Sequence, residues 1–461
     1  MNRHIPTTET RREFLKTTAP AAAGGTFGLA GALSGAIHAQ SPTVHARGSE
    51  EPIKLALIGC GNRGTGAVAQ ALSTEGPVQL YAVADAFEDR MQSSLKSLQR
   101  GMEKKYDRES TQPLADRINV PPERQFVGLD AYRKAIDSGV DVAIIAAPPG
   151  FRPQHFQYAV DSGKHVFMEK PVATDPHGVL QVIEVAAKAK QKNLKVGVGL
   201  QRHHQASYLE ALRRVREGQI GEIVTMRCFW NTGRPAKTPV AREQSVSELQ
   251  HQVRNWYFFD WLSGDHICEQ HIHNLDVCNW FKGDYPIEAE GMGGRQVRTG
   301  KEYGNIFDHH AVIFTYPDGT KLQSYCRQIP GCKNRVSETI ESTKGRAELG
   351  SVRCEILVGE DSKWESSRGE KSPYQVEQDD LFQAIRHDLP YNEAEAAARS
   401  TMTAILGRFA TYSGKIIRLD DALASAVRLT TDAENWNGDA PLQPEPDGGY
   451  PIPVPGVTKV L

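Results

Sequence analysis

Cysteine is scarce: seven residues in 461, namely Cys60, Cys228, Cys268, Cys278, Cys326, Cys332 and Cys354, with no C-x-x-C pair. That pattern excludes a disulfide-dense scaffold and a cysteine-built zinc ribbon, and the odd count leaves at least one thiol without an intrachain partner. Net charge is thin as well, at −2, with Lys and Arg spread along the chain. No basic stripe marks a nucleic-acid partner. No apolar run reaches the roughly 18–20 residues that span a bilayer; the longest candidate, 19–39, is rich in Gly and Ala and weakly apolar. Internal repeats are absent. What is present is the composition of a globular protein, 39% hydrophobic and 24% charged, on a chain long enough for two domains plus a targeting segment.

The first 46 residues read as an address and linker. Thr10-Arg11-Arg12-Glu13-Phe14-Leu15-Lys16 has the form of a twin-arginine signal, and the Gly/Ala-rich stretch follows it, with cleavage expected after Ala39 or Ala46. Export to the periplasm by a pathway that moves folded proteins is the expectation. It would let a cofactor be loaded before transport.

Short apolar runs then alternate with helical segments: Ile53–Ile58, Val78–Ala84, Val140–Ala146 and Lys164–Met168. Such alternation predicts an α/β, Rossmann-type domain over 53–200 with a parallel sheet covered on both faces. The polar stretch Arg100–Arg124 reads as a surface insertion. From about Gly221 strand-like runs dominate (Ile223–Trp230, Ile287–Gly291, Ala311–Tyr316, Leu322–Arg327, Val336–Ser342), and Tyr316-Pro317-Asp318-Gly319 is a hairpin turn. This predicts a second, α+β domain over 201–430, an open, largely antiparallel sheet with helices on one face. Helices are expected over Gln375–His387 and Glu393–Ser413, the latter capped by Gly414, and they are candidates to pack back on the first domain. Residues 431–461 read as an extended tail.

Gly59-Cys60-Gly61-Asn62-Arg63-Gly64 matches G-x-G-x-x-G, directly after a strand and opening a helix. There the glycines allow a tight turn, approach to a pyrophosphate and close helix–strand packing, while the helix N-terminus offers N–H groups to phosphate. Asp85 ends the next strand, 26 positions beyond Gly59. A carboxylate there accepts hydrogen bonds from ribose hydroxyls and repels a 2′-phosphate, which favours NAD; the plainer reading is a cap on the following helix. Arg63 is a candidate phosphate contact and keeps NADP as the alternative, with Asn62 beside it.

Glu169-Lys170-Pro171 follows the strand ending at Met168, where side chains enter the ligand crevice of such a sheet. Alone, the tripeptide also fits a surface lysine before a helix-starting proline. Together, the glycine fingerprint, Asp85, Ala146-Ala147-Pro148-Pro149, Gly163–Val166, Glu169-Lys170-Pro171, Val198-Gly199-Leu200-Gln201-Arg202, the stretch Gly264–Asp276 and Thr411–Lys415 resemble the Gfo/Idh/MocA oxidoreductases across roughly 53–430. The resemblance implies NAD(P) chemistry on sugars or cyclitols between two domains. It implies that Lys170 assists catalysis, with Pro148, His155, Glu169 and Gln201 near cofactor or substrate, and that the protein is a homo-oligomer.

Ser263–Asp276 is the densest polar cluster in the chain. Glu269, His273 and Asp276 match the family's spacing, with Glu in place of the usual Asp. On one helix, Glu269 and His273 would share a face, and a neutral His273 would serve as general base. Arg202, Asp276 and Trp256 are further substrate candidates. A second reading sets His266, Glu269 and His273 on one helical face as zinc ligands, completed by His271 or the His309-His310 pair; a third buries the histidines in the core. Trp256, Tyr257, Phe258 and Trp261 either stack on sugar rings or fill a core.

These readings converge on an exported NAD-dependent oxidoreductase acting on a secondary hydroxyl of a sugar, glycoside or cyclitol. Because no free NAD pool exists outside the cytoplasm, the cofactor is expected to be tightly held and recycled. The alternatives are a redox-neutral glycoside-cleaving or lyase enzyme, with or without a metal, and a non-catalytic sugar-binding protein.

Overall fold

The computed structural model describes residues 51–105, 113–235, 237–242, 245–359, 361–425 and 427–461. The arginine pair, the Gly/Ala stretch and both cleavage positions lie outside the described residues. No helix among the described residues is long and apolar enough to cross a membrane.

Six short strands form the first sheet: β1 (Ile53–Ile58), β2 (Val78–Asp85), β3 (Gln125–Val127), β4 (Val142–Ile145), β5 (His165–Met168) and β6 (Val196–Val198). They are all parallel, in the order β3-β2-β1-β4-β5-β6. The period-2 alternation of a strand splits β1 between two cores. Leu55 and Leu57 pack with the helices Asn62–Ala71 and Glu88–Met102, whereas Ala56 and Ile58 pack with Ala131–Asp137, Arg152–Asp161 and Pro176–Gln191. Strand order reverses between β1 and β4, and the crevice outside their carboxyl ends is where doubly wound sheets bind ligands. The helix Pro373–His387 returns to this domain, burying Leu381, Phe382 and Ile385 in the core that holds Leu55 and Leu57.

The second sheet has nine strands: β7 (Ile223–Thr232), β8 (Glu288–Gly294), β9 (His309–Thr315), β10 (Lys321–Gln328), β11 (Arg335–Ser342), β12 (Gly345–Leu349), β13 (Glu355–Val358), β14 (Asp361–Glu365) and β15 (Ile417–Arg418). Their order is β14-β13-β12-β11-β7-β10-β9-β8-β15, antiparallel except for the β7–β10 pair. The helices Ile272–Lys282 and Ala394–Ser413 pack against the sheet. Ala394–Ser413 is Ala-rich and buried almost all round, because it is held between the sheet and the helix Pro176–Gln191. The α/β plus largely antiparallel architecture is the one expected, and the Tyr316–Gly319 turn joins β9 to β10. Strands β3, β6 and β12–β15 went unread because β3, β6 and β15 are three residues or fewer and β12–β14 are short runs carrying charged residues, unlike the wholly apolar β4.

The returning helix is fastened by a charged contact. His204, in the short turn Gln201–His204, is hydrogen-bonded through Nδ1 to Asp380 at 2.6 Å and through Nε2 to Glu393 at 3.0 Å. Burial opposes the imidazolium, but these two carboxylates outweigh it and raise its pKa to about 10. A pKa raised by folding adds stability that is complete below the unfolded value and lost as pH climbs through the folded one. Both carboxylates are partly exposed, so His204→Gln should cost about 1–2 kcal/mol near pH 6. In urea unfolding, the gap from the wild type should close as pH rises through about 10.

Candidate active site

The site begins where β1 ends. Gly59 has φ +93°, and a Cβ there would fall 2.6 Å from the Ala146 carbonyl carbon, so the turn lies directly against the chain leaving β4. At Gly64 a Cβ would meet Leu57 at 2.9 Å, which fixes the helix Asn62–Ala71 on its strand. Gly61 differs: a Cβ there meets nothing within 4 Å, and no side chain caps the helix it precedes. An uncapped helix N-terminus facing open space is a cradle for phosphate.

An extended cleft runs over this turn. It is lined by Gly59, Gly61, Asn62, Arg63, Gly64, Asp85, Pro148, His155, Glu169 and Lys170, the full set expected at the cofactor, and by Trp256 and Glu269 of the second domain. Asp85 ends β2 with its carboxylate accepting the Cys60 N–H at 2.6 Å and the Phe87 N–H at 2.8 Å. It therefore ties the glycine turn to the next loop while lining the cleft. Burial raises its pKa, and those two N–H groups pull against the rise. His155 stacks on Tyr132 with ring centroids 4.1 Å apart, and burial, then Arg152 and Arg133, lower its pKa to about 3. It is a neutral wall. Arg63 donates to the Glu169 carboxylate at 2.9 and 2.6 Å and lies 4.6 Å over the Tyr374 ring. It lines the cleft from within that ion pair.

Lys170 and Glu269 bring the two domains together. The lysine Nζ donates to the Glu269 backbone oxygen and approaches its carboxylate at 3.3 Å, while Gln270 holds the other carboxylate oxygen at 2.7 Å. His273 lies deeper, stacked on Trp230 with ring centroids 5.8 Å apart, and is not among the cleft-lining residues. Burial, then the charges of Lys170, Arg202 and Arg63, hold its imidazole well below its ordinary pKa and so neutral. Its Nδ1 is buried without a hydrogen-bond partner among the described residues.

Several expectations need correction. Glu269 and His273 do not share one helical face: Gly264 and Asp265 start a short helix, Asp265–Glu269, in left-handed backbone, and a turn at Gln270–His271 resets the phase before Ile272–Lys282. For the same reason His266, Glu269 and His273 do not assemble as a ligand set. Among the described residues, the group brought within 4.8 Å is Asp265, His266 and His310, all buried and none lining the cleft. His271 is hydrogen-bonded to Ser324 at 2.7 Å in the core. Arg202 is spent on a buried ion pair with Glu338, and Asp276 on His203 and Ser400 at 2.7 Å each, so neither faces the cleft. Gln201 also lies outside the lining. The aromatic run divides: Trp256, Tyr257 and Phe258 border the cleft, and Trp261 is core.

Residues 53–200 match the oxidoreductase family with an NAD-binding Rossmann fold, and residues 208–348 match the Gfo/Idh/MocA C-terminal domain. The chain belongs to the Gfo/Idh/MocA family. Among its relatives, the 2,7-anhydro-N-acetylneuraminate hydratase of Escherichia coli is 24% identical over 54% of this chain and 65% of its own length. Inositol 2-dehydrogenase 3 of Saccharopolyspora erythraea is 27% identical over 40% and 46%. This Gfo/Idh/MocA chain thus spans less than two thirds of either relative. Two solved structures share the fold: an aldose–aldose oxidoreductase from Caulobacter crescentus complexed with glycerol (TM-score 0.59, 17% identity, 80% of this chain and 100% of that one) and a scyllo-inositol dehydrogenase from Lactobacillus casei with NAD(H) and scyllo-inositol (0.58, 20%, 80% and 99%).

Sequence reasoning missed Arg152, Tyr132, Lys237 and Arg254, which also line the cleft. They sit in no motif, and only the meeting of distant segments marks them. Two glycine variants test the site. Gly59→Ala should cost about 2 kcal/mol or more through its positive φ and close neighbours. Gly61→Ala should leave urea stability within about 0.5 kcal/mol yet weaken NAD binding, read by calorimetry, at least about tenfold.

Proposed function

We propose that the protein is an NAD-dependent oxidoreductase that acts on a secondary hydroxyl of a sugar, glycoside or cyclitol. One observation carries this reading: a single cleft has the glycine turn and Asp85 along its floor and Lys170, held by Glu269 of the second domain, in its wall. Bound NAD would supply the hydride acceptor. The Gly61 cradle and the uncapped helix end would hold its phosphates, and Asp85 would face its ribose. As a carbinol C–H is oxidised, Lys170 stabilises the developing alkoxide, and His273, kept neutral by burial and nearby cations but set behind the cleft lining, takes the hydroxyl proton through a bridging water. Glu269 fixes the lysine, and Trp256 offers an aromatic face to the sugar ring.

Export by the twin-arginine route belongs to the same proposal, supported by Arg11-Arg12 and the Gly/Ala stretch. So does a tightly held cofactor restored within each cycle. A second reading, redox-neutral cleavage or elimination after transient oxidation, is favoured by the hydratase among the relatives. Oxidising a ring carbon acidifies the adjacent C–H and permits elimination without net consumption of NAD. The buried Asp265–His266–His310 group lies off the cleft, so no zinc enters the proposed chemistry.

The test is to purify the protein without added NAD, assay it for bound dinucleotide, and screen cyclitols and glycosides for nicotinamide reduction and for cleaved products by mass spectrometry. Protein that neither carries nor binds NAD would overturn the proposal. In an active preparation, Lys170→Ala should lower kcat about 10²–10⁴-fold while retaining the dinucleotide; turnover at the wild-type rate would remove Lys170 from the chemistry and favour a binding protein.

A further inference from the structure

The cleft has a roof that no motif announces. Two stretches of the second domain, 237–242 and 245–258, share the cleft's lining with the glycine turn through Lys237, Thr238, Val240, Val253, Arg254 and Asn255. This strap is internally pinned: Asn255 accepts the Val240 N–H at 2.7 Å and donates to the Val240 carbonyl at 3.0 Å. Its free edge is latched on the first domain. Arg254 donates both terminal nitrogens to the Asp89 carboxylate, at 3.0 and 3.1 Å, and its guanidinium lies 3.9 Å over the Phe87 ring. Phe87 and Asp89 stand two and four residues beyond Asp85, at the end of the cleft where the ribose carboxylate sits.

A second layer backs the latch. Trp436 stacks on the same Phe87 ring, with centroids 5.3 Å apart. The C-terminal segment that carries it is fastened to both domains. Arg133 donates to Glu434 at 2.6 Å and Leu429 N–H to Asp175 at 2.7 Å on the first domain. On the strap, Tyr450 donates to Glu248 and accepts from Arg242, each at 2.6 Å. This tail lies beyond residue 348, where the match to the family's C-terminal domain ends.

We infer that the strap, latched by Arg254 on Asp89 and Phe87 and backed by Trp436, retains the adenosine half of a bound dinucleotide, so that the cofactor leaves only when the latch opens. The inference rests on the NAD reading above. Bidentate guanidinium–carboxylate pairing gives the closure a defined geometry, and the cation–π contact and ring stack add area at the same point. Each bond is modest. Together they join three distant parts of the chain over one end of the cleft, and release requires all of them to part.

Release is measured on the full-length holoprotein loaded with isotopically labelled NAD, chased with excess unlabelled NAD and sampled by filtration. Wild-type release should be slow, with a half-time on the order of hours. Arg254→Ala, Trp436→Ala and Asp89→Asn should each speed it at least about tenfold. Asp89 is largely exposed, so Asp89→Asn keeps the test decisive even where a bulkier loss impairs folding. Equal release from wild type and Asp89→Asn would overturn the latch alone. A wild type that binds no NAD would instead overturn the cofactor reading on which it rests.

Discussion

The contact on which the rest depends is the approach of the Gly59 backbone to Ala146 and Ala147, where β1 and β4 end. No side chain fits there. The two strands must therefore end side by side, which opens the crevice at the reversal of strand order and points the helix Asn62–Ala71 into it. Asp85 reinforces the arrangement by taking the Cys60 N–H from the turn itself. A second close packing, Gly64 on Leu57, sets the helix axis and hence the direction in which its first N–H groups point.

Given that crevice, the second domain completes the site by supplying what a parallel sheet lacks. Lys170 leaves β5 toward the cleft as a buried ammonium, and Glu269 supplies the carboxylate it pairs with. Pairing across the domains is the least costly arrangement for both groups. The same logic applies to two arginines: the half-exposed Arg63 is matched by Glu169 and the buried Arg202 by Glu338. His273 sits near three cations, and it answers by remaining a neutral imidazole.

The C-terminal third repeatedly returns to the first domain. Leu381 and Phe382 fill the face over β1 and β5, His204 grips Asp380 and Glu393, and Trp436 reaches Phe87. The family's two domains are thus enclosed by segments that follow them. For the export and cofactor retention proposed above, such an enclosure would hold a dinucleotide, because hydrophobic and charged contacts that join distant segments must break together before a ligand escapes.

The sequence by itself determined the strand–turn–helix at Gly59–Gly64, the carboxylate at the end of β2 and the lysine at the end of β5, because each is a local pattern read over a dozen residues. It also marked the strand-rich texture of the second domain. It misled where a local frame breaks: one turn at Gln270–His271 separates Glu269 from His273 and leaves Asp265 and His266 to meet His310 from another strand. Only the tertiary structure decided that Arg202 and Asp276 are committed to buried partners, and that Arg254 meets an aspartate 165 residues away. Periodicity reports which face a residue occupies, not which distant surface covers that face, and pairings of buried charge are settled by that covering.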